Sequence, residues 1–235
     1  MNQKNNYTAR MSYNEAKQRF FEAWLGSCGG DANATWAYVN TRKLSQSTIR
    51  LEVELNTLST GFVFGVTPQQ QNSTGVLFPT EKRLDLQDSL VVSEYGIFVC
   101  KPASRTDINF KLRTYGNIVD FTAAAAAAID GTLYSNGWLK TTVNNDVVVP
   151  YRDLFSNLYR PQTQQTAALG AASPDDQICG AEDGAITNEP NLLFIGSKNT
   201  IPEIQLAGTL ATVDAFTRAV YIGRGVLAQN STVIN

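Results

Sequence analysis

In Ile49-Arg-Leu-Glu-Val-Glu-Leu55 every second side chain is aliphatic and every intervening one is charged. Successive side chains of a strand point to opposite faces, so this alternation places four aliphatic groups on one side and three charges on the other. It predicts a half-buried strand. Ile108, Phe110 and Leu112 alternate in the same way with Asn109, Lys111 and Arg113, which predicts a second strand. Further strands are expected at Thr35–Asn40, Gly61–Val66, Leu90–Glu94 and Tyr95–Lys101, separated by turn-forming clusters such as Pro68-Gln-Gln-Gln-Asn-Ser-Thr-Gly75. Leu133–Val143 and Val147–Tyr151 flank Asn144-Asn-Asp146, residues that tolerate positive φ and so suit a hairpin reversal. Asn191–Gly196, Glu203–Ala207 and Arg218–Gln229 complete the set. Strands at this spacing predict a mainly β chain built as an antiparallel sandwich or barrel.

Two helical segments interrupt the pattern. Tyr13, Ala16, Phe20 and Trp24 recur at helical spacing, Phe21 and Leu25 widen that face, and Gly26 fits a stop. The reading is an amphipathic helix over 13–25, opened by a capping box at Ser12-Tyr-Asn-Glu15 and preceded by a polar arm. Its apolar face either lies on the chain's own sheet or docks on a neighbouring copy, which makes Tyr13, Phe20 and Trp24 candidate interface residues. Removing residues 1–25 is expected to leave the β domain folded and to impair assembly. The other segment, Phe121-Thr-Ala-Ala-Ala-Ala-Ala-Ala-Ile-Asp130, holds six consecutive alanines, the best helix formers. Asp120 or Thr122 can cap it, and about two and a half turns are too few to stand alone. Packing must hold it, either as a crossover between strands or as a small-residue wedge against the sandwich or a neighbour. Ala125 is therefore the fourth candidate interface residue. The expected organisation is an arm and helix over 1–30, then one β-sandwich domain over 31–235.

Within that domain, 162–185 reads as a long loop. The stretch QTQQTAALGAASPDDQICGAEDGA has no Lys, Arg or aromatic residue and cannot bury enough apolar surface to fold by itself. The 235 residues are 43% hydrophobic and 17% charged, against roughly 25% charged in ordinary soluble domains. A net charge of −2, with only Arg42-Lys43 and Lys82-Arg83 as basic pairs, argues against a nucleic-acid-binding face. Both pairs are expected at solvated strand ends. No apolar run reaches the roughly 18 residues of a membrane span, and MNQKNNYTAR lacks the hydrophobic core of a signal peptide, so a protein not exported by a signal is expected. Cys28, Cys100 and Cys179 are too scattered for a disulfide framework and read as free thiols.

The chain contains no histidine. That excludes Ser-His-Asp and Cys-His catalysis and most zinc and non-haem iron sites, which need imidazole as base or ligand. Phosphate-cradling motifs are absent as well, and the Gly pair in Cys28-Gly-Gly-Asp31 reads as a flexible connection. Paired carboxylates remain the one enzymatic alternative, with Asp85, Asp88 and Glu94 near strand ends as its candidates. Asp175-Asp176 to Glu182-Asp183 lacks the DxDxDG arrangement of a calcium loop. Tyr134, Trp138, Tyr151 and Tyr159 form an aromatic group that suits either a core or interface, or a sugar platform. No catalytic, cofactor-binding or metal residue is assigned.

The succession of a polar arm and amphipathic helix, strands ending in Leu90-Val-Val-Ser-Glu-Tyr-Gly-Ile-Phe-Val-Cys100, an inserted Ala helix, Leu133-Tyr-Ser-Asn-Gly-Trp-Leu-Lys140 and Ala219-Val-Tyr-Ile-Gly-Arg-Gly-Val-Leu227 resembles jelly-roll coat proteins of bacteriophages. The resemblance covers most of the chain as an order of elements. It implies a jelly-roll sandwich, a self-assembling capsid protein of a virion made in the host cytoplasm, and as partners other copies of itself and other virion proteins. A minor virion component, such as a penton, decoration or tail protein, is the variant of that reading, and a carbohydrate-binding module is the alternative outside it. The arm carries only Lys4 and Arg10, unlike the genome-binding arms of many small coat proteins, so nucleic acid is expected to be bound at most weakly through it.

Overall fold

The computed structural model describes residues 3–159 and 185–231. Helices α1 (Gln3–Leu25) and α2 (Ala32–Thr41) precede strands β1 (Leu44–Glu54), β2 (Gly61–Val63) and β3 (Ser89–Cys100). Helix α3 (Ala123–Ala128) runs into a wide helical turn at Ile129–Tyr134, followed by β4 (Gly137–Val143) and β5 (Asp146–Asp153). A tight turn at Leu154–Asn157, then β6 (Ala185–Ile195), β7 (Thr200–Leu206) and β8 (Arg218–Ala228) complete the described elements. Apart from Ala185, the loop expected at 162–185 lies outside the described residues.

The strands form two four-stranded sheets, β1-β8-β3-β6 and β2-β7-β4-β5, and every pairing in them is antiparallel. The chain is mainly β. The opening alternation sits in β1: Ile49, Leu51 and Val53 enter the main core, where they join Phe62 of β2, Leu139 of β4 and Ile204 and Leu206 of β7. One core therefore receives side chains from both sheets. Leu90–Glu94 and Tyr95–Lys101, expected as two strands, are one strand with a bulge between Val92 and Glu94. At that bulge a Cβ on Gly225 of β8 would fall 1.7 Å from the Val91 carbonyl oxygen, so only glycine fits beside it. The hairpin between β4 and β5 reverses through Asn144 and Asn145 at φ 48° and 72°.

The alanine run packs as a spacer inside the chain. Thr122 Oγ1 caps α3 by accepting the Ala125 N–H, and Asp214 fixes Thr122 by accepting its N–H and its hydroxyl proton, both at 2.8 Å. Ala125, Ala126 and Ala128 face the main core. A Cβ on Gly116 would lie 2.2 Å from the Ala126 carbonyl oxygen, which explains small residues on both sides of this contact.

Several expectations are corrected. Helix α1 starts at Gln3, so residues 3–10 are helical and Ser12 lies inside the helix instead of capping it; no Pro or Gly interrupts 3–12 to force a later start. Thr35–Asn40 belongs to α2, because the Asp31 carboxylate accepts the N–H groups of Asn33 (2.8 Å) and Ala34 (3.2 Å) and starts a helix where a flexible connection was expected. Residues 108–113 do not form a strand of either sheet. Only Arg113 bridges to Val99, and the alternation there arises because Phe110 and Leu112 pack down on Phe98 and Val220 from outside the sheet.

Candidate functional site

The outer face of the β1-β8-β3-β6 sheet is covered by the chain itself. At one end, Ala16, Phe20 and Trp24 of α1 and Val39 of α2 close on Val91, Val226 and Ala228. Stacking of Phe20 on Trp24 (centroids 5.0 Å) and of Phe21 on Trp36 (4.6 Å), with Trp24 edge-on to Tyr38, locks the two helices together. Of the four candidate interface residues, Phe20, Trp24 and Ala125 are thus buried within the chain, while Tyr13 remains exposed beneath the Lys17 ammonium.

At the other end of this face lies a fully buried ion pair, Arg218 to Glu52 at 2.9 Å. The Arg218 guanidinium also donates to the carbonyls of Ser104 (3.1 Å) and Arg105 (2.7 Å) and lies 4.1 Å from the Phe78 ring centroid. Glu52 further takes Arg50 at 2.8 Å and the Thr80 hydroxyl. Beside it, the Glu81 carboxylate accepts the N–H groups of Glu52 and Phe78 and pairs with Arg83 at 3.1 Å. Arg83, expected as a solvated strand end, is nearly buried and ties the carbonyls of Thr67 and Gln70 to this cluster. Every one of these charges has an opposite charge or a carbonyl against it, so the cluster fastens loops 76–83 and 101–113 to the sheet. Burial pushes the Cys100 thiol well above its usual pKa, which keeps it protonated and unreactive.

Two of the carboxylates considered for glycoside chemistry accept backbone N–H groups. Asp85 accepts the Gln87 N–H within its own turn, and Asp88 accepts the N–H of Asn230, far along the chain after β8. Among the described residues, no group of three or more His, Cys, Asp or Glu side chains could hold a metal ion; the acidic stretch 175–183 lies outside them. The aromatic group divides. Tyr134 is buried and donates to the Ile97 carbonyl at 3.1 Å, whereas Trp138 and Tyr151 stack on each other at 5.6 Å on the outside. Tyr95, in the core, is pushed up to about 12 by burial, against the opposing charge of Arg152 over its ring.

Among the described residues, no second hydrophobic cluster covers the outer face of the β2-β7-β4-β5 sheet, as two do on the other sheet. Alternation sends Leu139, Ile204 and Leu206 to the core, and Trp138, Lys140, Glu203 and Gln205 outward, where each remains partly accessible. On β5 and the turn after it Val147, Val148, Tyr151 and Phe155 are 48–62% exposed. Several large apolar residues exposed along one edge strand and its following turn depart from the ordinary case of scattered single ones. Sequence reasoning named Trp138 and Tyr151 only as alternatives. It missed Val147 and Val148, whose run of three valines in Asp146-Val-Val-Val-Pro150 reads as strand core. No family model, curated protein or solved structure matches this chain. No helix among the described residues is long and apolar enough to cross a membrane.

Proposed function

We propose that this chain is a jelly-roll coat protein, a virion structural protein that assembles with copies of itself into a shell. The observation that carries the reading is the strand order. Sheets ordered β1-β8-β3-β6 and β2-β7-β4-β5, all antiparallel and sharing a core, fit the double Greek key of an eight-stranded jelly-roll sandwich, an architecture used by viral capsid proteins, lectins and cupins. Within that group the absence of histidine argues against cupin-type metal chemistry. One sheet carries helices, while Val147, Val148 and Tyr151 on the edge strand of the other are exposed, an asymmetry that suits a subunit whose second side is buried by neighbours. Individually weak contacts between such subunits add up through multivalency.

A sugar-binding module is favoured by one feature, the exposed Tyr151 ring beside the partly accessible Trp138. Their mutual stacking already occupies one face of each, which weakens that reading. Size-exclusion chromatography with light scattering, followed by electron microscopy, tests the proposal. Closed particles or large symmetric oligomers are expected; a stable monomer with affinity for a glycan overturns it.

A further inference from the structure

We propose that a second copy of this chain packs on the outer face of the β2-β7-β4-β5 sheet, about a two-fold axis running between β4 and β7 parallel to the strands. The proposal rests on the self-assembly reading above and adds which surface makes one of its contacts.

The register puts Lys140 of β4 directly opposite Glu203 of β7, both facing outward. Unlike charges placed this way ordinarily pair across the strands. Here Glu203 turns aside to lie over Gly61, where an added Cβ would sit 2.8 Å from its Oε1. Neither Lys140 nor Glu203 forms an ion pair with another described residue. A two-fold axis lying in the interface along the strands sets each strand against its mirror position across the axis, so β4 faces β7 and β5 faces β2 of the other copy. Lys140 then meets Glu203 of the partner subunit, and the reciprocal pair forms at the same time. The charge pattern of this face is therefore complementary to itself. The stacked Trp138 and Tyr151 rings lie on the β4–β5 side, and across the axis β2 meets them with the small outward residues Gly61 and Val63.

Side-by-side extension of the sheet through β5 is the weaker geometry. Pro150 has no N–H to donate, and Arg152 is turned inward, donating to Asn188 and to the Thr187 carbonyl. The face, and not the edge, is left for the second copy.

Sedimentation velocity of the full chain over a range of concentrations tests the proposal, using Lys140→Glu and Glu203→Lys separately and mixed. Each variant alone sets two like-charge pairs in its own dimer, and its self-affinity falls on the order of tenfold or more. In the equimolar mixture both pairs are unlike again, so the heterodimer recovers wild-type affinity. Circular dichroism matching wild type shows that folding is intact. Where a reversal loses that spectrum, Lys140→Gln and Glu203→Gln replace it, each weaker alone and one pair recovered on mixing. Self-association of the single variants at wild-type strength overturns the proposal, as does a mixture that stays dissociated. Shells that assemble normally from both reversals remove this contact and leave the coat-protein reading standing. Dimers that never enlarge, yet respond to mixing as described, keep the contact and remove that reading.

Discussion

The two sheets finish their outer faces in opposite ways. The β1-β8-β3-β6 sheet is roofed by α1 and α2 at one end and by loops clamped to the Arg218–Glu52 pair at the other, while the β2-β7-β4-β5 sheet leaves Val147, Val148 and Tyr151 exposed. The difference teaches that large aromatic residues outside the main core serve two purposes in this chain. Some, such as Phe20 and Trp24, close over the chain's own sheet, and others, such as Tyr151, stay exposed.

The comparison breaks first at the roofed face. Phe20→Ala removes a ring that is fully buried between α1 and the sheet, and should cost about 3–5 kcal/mol in denaturant unfolding. Arg218→Ala leaves Glu52 buried without its nearest cation and should cost a comparable ~3–5 kcal/mol, so a midpoint close to wild type in the same experiment would contradict the clamp. Gly116→Ala forces a methyl group against the Ala126 backbone, with an expected loss of about 1–3 kcal/mol and no change in a solvent-exposed control such as Gly208→Ala. Asp214→Ala frees Thr122 and the start of α3 and should cost about 1 kcal/mol.

That last position also carries a pH signature. Burial works to raise the Asp214 pKa, but bonds from Thr122 and Lys101 outweigh it and hold the carboxyl below its usual range. A carboxyl more acidic folded than unfolded contributes fully above its unfolded pKa and ceases to contribute as pH falls through the folded one. The stability gap between wild type and Asp214→Ala should therefore narrow below about pH 4, measured by thermal unfolding across pH. The smallest effect belongs to the open face. Tyr151→Ala should change monomer stability by no more than about 0.5 kcal/mol while weakening self-association, a separation that Phe20→Ala cannot produce.

Much of the β framework was legible from residue order alone. β1 alternates cleanly because one side meets the core and the other meets salt-bridged loops; the asparagines at the hairpin and Thr122 at the alanine helix announce themselves through local backbone chemistry. The failures share a cause in tertiary context. Val39 and Tyr38 look like strand residues until Asp31 caps the turn before them, and Phe110 and Leu112 alternate because they cover a sheet, not because they belong to one. Phe20 and Trp24 were legible as an apolar helical face, but periodicity carries no information about whose surface that face meets. Ala16, Phe20 and Trp24 form part of the roof, so removing residues 1–25 should expose Val91 and Val226 and destabilise the β1-β8-β3-β6 sheet.

β8 lies between β1 and β3, although it comes last among the described strands. Until it arrives, the two strands it joins have no shared ladder, and the helices above them have no complete floor. The chain must hold Leu51, Val92 and their neighbours in waiting through most of its synthesis. Non-local pairing of this kind slows folding and lengthens the time during which unpaired strand edges are available to other chains. A protein made in many copies at once would meet that hazard most acutely. The Tyr38 hydroxyl donates to the Ser231 carbonyl and Arg42 to that of Asn230, so the residues just after this late strand are fastened to a helix that precedes every strand of the two sheets.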